Sequence, residues 1–265
     1  MTQVLERSLP GLEPELLVAV VGRLLDLEPD AGAVVVTGSY AKGTADEHSD
    51  LDVRAITTEP PRVRYRTWFA ERGNRRPLHV SAGAKSVDDW LAARREPNEW
   101  ALGFPVLHEA VYLWATDGVR EALGDPPSHR HPPADPELED FVEALVKVRR
   151  AAAARDGVGA RWHAQTAGSL APRLLLGLNE ERLVHDRRDA LEAALTLPVA
   201  PAGYVDDLAA CLGVRAAGDE EVAAAALRLG RSLLALVRER DPEVDRQPGA
   251  AEALRDGSFE RQLDD

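Results

Sequence analysis

From about Pro14 apolar side chains return every three or four residues (Leu16, Leu17, Val20, Val21, Leu24, Leu25), which predicts an amphipathic helix that Pro29 ends. Ala33 to Thr37 (AVVVT) is instead a short β-branched run between Gly32 and Gly38, the pattern of a buried strand. Period two follows. Asp50 to Ile56 and Arg62 to Phe69 alternate polar with apolar residues, and Arg76 to Ala82 can pair with the latter across Glu71 to Arg75, giving a mixed sheet of about four strands. Ser86 with Asp89 three residues on reads as a capped helix start running to Arg95. Val111 to Trp114 reads as a further strand, closed by a turn at Asp117-Gly118.

Asp125 to Asp135 (DPPSHRHPPAD) holds four prolines, which fit neither helix nor sheet interiors, so it reads as a linker. Beyond it the period is helical: Pro136 to Arg155, Ala160 to Leu178 with a kink near Pro172, Arg187 to Leu195, Tyr204 to Leu212 and Glu220 to Arg240. From Asp241 the tail is polar and is expected to fray. The fold class is therefore α+β, with a mixed-sheet domain over 1–124, a Pro-rich linker over 125–135 and an α-helical bundle over 136–265.

Composition narrows the partners. A formal net charge of −13 repels a phosphate backbone, so a nucleic-acid partner is disfavoured. The most apolar stretch, Leu16 to Leu25, is broken by Arg23, and nothing reads as a membrane partner or an export signal. Cys211 is the single cysteine and can form no internal disulfide, which favours a reducing, cytoplasmic setting.

Chemistry concentrates in VVVTGSYAKGTADEHSDLDVRA. Gly38 lets the chain turn sharply and lets backbone N–H groups approach a phosphate, while the Ser39 hydroxyl can donate a further hydrogen bond. Asp50 and Asp52 stand two apart on a strand and share a face, with Leu51 and Val53 turned to the core. Two adjacent carboxylates repel unless a cation lies between them, and Mg²⁺, which takes few protein carboxylates plus substrate phosphates, suits the pair. Lys42 either adds positive charge beside a triphosphate or faces water.

This segment resembles the signature of the DNA-polymerase-β superfamily of nucleotidyltransferases: apolar strand, Gly-Ser, about ten residues, then Asp-x-Asp on a second strand. The resemblance implies a mixed-sheet nucleotidyltransferase domain in which Gly38 and Ser39 hold the terminal phosphates of an NTP and Asp50 and Asp52 hold Mg²⁺. A weaker resemblance reaches the small-molecule branch with aminoglycoside and lincosamide nucleotidyltransferases, which pair that domain with a C-terminal helical bundle. In such relatives a basic residue near the nucleotide follows a stretch similar to Leu174 to Arg188, which implies Arg187 or Arg188 here; Asn179 is either a helix cap or a ligand. The family's third carboxylate, on a later strand, has no counterpart in Pro77 to Ser81 (PLHVS). His79 is the candidate there for base or ligand, and Glu109 and Asp88 are other sources of an acid. His129 and His131 read as polar loop, and Trp162 either lines a cleft between the domains or packs as core.

The function implied is Mg²⁺-dependent transfer of a nucleoside monophosphate from an NTP to a hydroxyl or similar nucleophile of a small molecule. The alternatives are a member that binds nucleotide without turnover, suggested by the acid-free third strand, and a protein-modifying or toxin–antitoxin nucleotidyltransferase.

Overall fold

The structure is a computed structural model and describes residues 8–96, 99–123, 138–179, 183–242 and 248–264. Compact contacts divide these residues into two units. The first holds the chain to Glu96 and again from Leu107 to Leu123, and the second holds Glu99–Val106 and the chain from Leu138 on.

In the first unit, α1 (Pro14–Leu27) leads into β1 (Ala31–Thr37), a five-residue helix α2 (Gly38–Lys42), and β2 (Leu51–Thr57). The hairpin β3 (Arg66–Arg72) and β4 (Arg75–Ser86) follows, then α3 (Val87–Arg95). The sheet has five strands in the order β3-β4-β2-β1-β7, the edge strand β7 (Ala110–Ala115) being the run expected at Val111 to Trp114. It is mixed, since β2 and β4 run parallel and the other neighbours antiparallel. Ser86 caps α3 by accepting from the Asp89 N–H.

One sheet face buries Val34, Val36, Leu51, Val53 and Val80 against Leu17, Val20, Val21 and Leu24 of α1. The other buries Ala33, Val35 and Ile56 against Val87 and Trp90 of α3 and Val119 and Leu123 of α4 (Asp117–Leu123). Asp117-Gly118, read as a turn from sequence, opens that last helix. On this second face the apolar cover ends before the row Thr67, Ser81, Asp52, Thr37, which is polar from strand to strand.

In the second unit, β5 (Glu99–Ala101) and β6 (Phe104–Val106) form a hairpin that the periodicity does not reveal. Its turn places Leu102 (φ 50°) and Gly103 (φ 85°) both in the left-handed region, as a two-residue hairpin turn demands. Phe104 and Val106 join the core of α5 (Leu138–Ala153), α6 (Gly157–Leu175) and the helices after it, and β6 bridges to Val184. Pro172 lies inside α6, which gives way to a 3₁₀ turn at Leu176–Leu178. The remaining helices are α7 (Arg187–Leu195), α8 (Tyr204–Cys211), α9 (Asp219–Arg240), α10 (Pro248–Arg255) and α11 (Ser258–Asp264).

One expectation is corrected here, and one of the two readings of Trp162 is removed. The tail is not frayed over 248–264: Ala250, Leu254, Phe259 and Leu263 are buried in the second unit's core, because they fall on one side of two short helices. Trp162 is not core but 68% exposed, since α6 turns Ala160, Ala164 and Ala167 inward instead. The expected linker Asp125 to Asp135, with His129 and His131, lies outside the described residues.

Candidate active site

Pairing register assembles the site within the first unit. Thr37 at the end of β1 stands opposite Asp52 on β2, so the turn that follows Thr37 lies directly beside that carboxylate. Gly38 takes φ +72°, and a Cβ placed on it would sit 3.0 Å from Asp52 Oδ2. A side chain there would both strain the backbone and press on the carboxylate. Between turn and strand, Asp46 accepts from the His48 N–H and the Ser49 hydroxyl at 2.9 Å each, which holds the loop that delivers Asp50. Asp50 is half exposed, at 51%, and Asp52 less so, at 30%.

Burial pushes the Asp52 carboxyl above its ordinary pKa, and the negative charge of Asp50 pushes it further. Arg54, the Ser81 hydroxyl and His108 pull the other way. Neither Arg54 nor His108 was among the residues singled out from sequence. Arg54 shares the face of Asp52 by strand alternation, and its Nη2 stands 3.7 Å from Asp52 Oδ1 while Nη1 donates to the carbonyls of Val53 (2.9 Å) and Ser81 (2.8 Å). Its stem passes beside Gly83, where a Cβ would come within 3.5 Å of Arg54 Cδ and 2.5 Å of the Arg64 carbonyl oxygen. Alternation alone could have flagged Arg54. Its partners could not be known without the β2–β4 register.

The parallel register puts Ser81 beside Asp52, the place on β4 where an acid was looked for. The Ser81 hydroxyl donates to the Tyr65 hydroxyl at 3.2 Å. His79, one step along the same face, has Nδ1 3.7 Å from Asp50 Oδ2 and packs its ring on Phe69, centroids 5.3 Å apart. The proposed replacement Asp88 is excluded: it follows Ser86, which pairs with Thr57 at the opposite end of the strands, about 16 Å from the Asp52–Ser81 row by strand rise. Glu109 is exposed and precedes Ala110, the β7 partner of Thr37, so it borders the turn side of the site.

The second unit holds the other candidates. Arg187 and Arg188 are exposed in the first turn of α7, where Arg187 Nε lies 3.8 Å from Glu99. Asn179 is a structural tie: its amide donates to the carbonyls of Leu175 (2.7 Å) and Val199 (3.0 Å) and its oxygen accepts from the Val199 N–H (2.9 Å).

Among the described residues no group of three acid, histidine or cysteine side chains could enclose a metal ion, so the protein by itself offers a cation the two aspartates. That donor set fits Mg²⁺, which completes its octahedron with water and substrate phosphates, and fits poorly an ion that needs a full protein cage. No helix of the described residues is long and apolar enough to cross a membrane.

Residues 19–89 match the family described as nucleotidyltransferase domain, and residues 137–239 match the family described as nucleotidyltransferase, substrate binding domain. No curated protein matches the chain. Among solved structures, a nucleotidyltransferase-like protein from Exiguobacterium sibiricum is similar at 16% identity and a TM-score of 0.31, over 92% of this chain and 88% of its own.

Proposed function

We propose that the chain, whose residues 19–89 match a nucleotidyltransferase domain and whose residues 137–239 match a nucleotidyltransferase substrate-binding domain, moves a nucleoside monophosphate from an NTP to a hydroxyl or similar nucleophile of a small molecule. The observation that carries this reading is the approach of the Gly38 turn to Asp52, which leaves a side-chain-free backbone next to a carboxylate pair. In this reading Gly38 and Ser39 bind the terminal phosphates, and Lys42, on the same short helix, adds positive charge. Asp50 and Asp52 would hold Mg²⁺, which when bound neutralises charge on the transferred phosphoryl group. The acceptor oxygen bonds to the α-phosphorus, the bond from that phosphorus to the departing pyrophosphate breaks, and the hydroxyl proton passes to His79. Arg187 and Arg188 are further cations for the nucleotide on the ground of resemblance.

A second reading, nucleotide binding without turnover, is favoured by one observation: Ser81 and His79 occupy the β4 face beside the aspartates, and neither is an acid. Incubation of the pure protein with each labelled NTP, Mg²⁺ and a panel of hydroxylated small molecules separates the two. Pyrophosphate release that depends on the acceptor supports transfer. Tight NTP binding with no release, under every acceptor and without self-labelling, supports the second reading and removes the first.

A further inference from the structure

The two oxygens of Asp52 face different neighbours. Oδ2 lies toward Gly38, 3.0 Å from where a Cβ would stand, and Oδ1 lies toward the Arg54 guanidinium at 3.7 Å. Arg54 is not a loose surface arginine: its side chain is 23% exposed, and two main-chain carbonyls fix its Nη1. Gly83 keeps open the strip of β4 along which its stem runs.

Two divalent cations 3.5–4 Å apart would need shared carboxylates that give one oxygen to each, and further donors to complete both shells. Here Asp50 and Asp52 are the carboxylates on this face, Ser81 occupies the neighbouring position on β4, and the outer oxygen of Asp52 is already beside a fixed positive charge. Resting on the nucleotidyl-transfer reading above, we propose that this is a one-cation site, in which Arg54 occupies the second cation's place and supplies its positive charge. Asp52 Oδ2 and Asp50 serve the single ion that arrives with the nucleotide. Arg54 acts through Asp52 as a positioning residue and keeps a second ion out by repulsion.

The test is Mn²⁺ binding, followed by electron paramagnetic resonance and calorimetry, to the full chain saturated with a non-hydrolysable NTP analogue. The expected stoichiometry is one Mn²⁺ per chain. Two per chain would overturn this inference and leave the transfer reading standing, whereas nucleotide binding with no protein-dependent Mn²⁺ would remove the metal-dependent reading and this inference with it. The Arg54→Met variant adds a readout that a merely structural arginine would not give. Removing a single charge about 6 Å from a divalent ion should tighten Mn²⁺ binding about tenfold, even at the dielectric of water. Arg54→Lys, which keeps the charge, should bind Mn²⁺ as the parent does. Weaker binding in Arg54→Met would mean that the arginine only supports the fold, and would overturn the assignment.

Discussion

Gly38→Ala tests the site at its tightest point, and Gly43→Ala is its matched control. Both glycines hold φ +72°, but a Cβ at Gly43 meets nothing within 4 Å, whereas one at Gly38 meets Asp52 Oδ2 at 3.0 Å. Forcing alanine into the left-handed region costs roughly 1–2 kcal/mol at either position. Each variant should therefore melt roughly 3–6 °C below the parent. The contact is the difference between them. In Gly38→Ala the carboxylate must retreat by a few tenths of an ångström, and a methyl group stands where phosphate oxygens would approach the backbone. A misplacement of about 1 Å can cost about a hundredfold in rate, so a loss of about tenfold in kcat is expected, with NTP affinity falling by a similar factor. Gly43→Ala should keep parent affinity and turnover despite its lower melting temperature. Calorimetric NTP titration and pyrophosphate release would read both. If the two variants bound and turned over NTP alike, the turn beside Asp52 would not be a phosphate site, whatever their stabilities.

Asp52→Asn should abolish metal-dependent NTP binding yet raise the melting temperature of the chelator-treated protein at neutral pH. The folded state favours the neutral carboxyl here, so its stabilising contribution is full at low pH and lost as pH rises through the raised pKa. The gain should vanish toward pH 3–4, and an equal gain at every pH would refute burial and repulsion as its source. His79→Ala should lower kcat by at least about tenfold with little change in NTP affinity, and His79→Asp should recover part of it, if the ring takes the acceptor's proton; parent turnover in His79→Ala would remove it from the mechanism. Leu254→Ala, at a fully buried α10 position, should cost about 2–5 kcal/mol in denaturant unfolding, against well under 1 kcal/mol for a frayed tail.

The strand, turn and strand that carry the candidate site were legible because their signals are local. A β-branched run ends at Gly38, and Asp-Leu-Asp alternation fixes which side chains share a face, so β1, the turn and β2 follow without knowledge of their partners. The Ser86 cap and α3 were legible for the same reason. What failed depends on distant pairing. Three-residue strands are too short to show a period, and Pro105 speaks against β6, so the hairpin with its buried Phe104 stayed hidden. The charged residues of 248–264 masked apolar positions that pack only because another helix faces them. Arg54 carries no motif, and its role rests on a β4 carbonyl 27 positions away.

That hairpin also determines how the molecule can be divided. The helical unit is discontinuous in sequence, since Glu99–Val106 precedes β7, the last strand of the other unit. During synthesis a piece of the second unit therefore emerges before the first can close its sheet, and it must wait for α5 to α9 before Phe104 has a core to enter. A cut anywhere between Leu123 and Leu138 separates the helices from two of their own strands. It leaves an apolar slot where Phe104 and Val106 belonged and strips Val184 of its bridge. Composition suggests a single boundary, whereas the units of packing are interleaved in sequence. Transplanting the helical unit onto another mixed-sheet unit requires carrying with it the eight-residue segment Glu99–Val106 that lies within its neighbour's sequence.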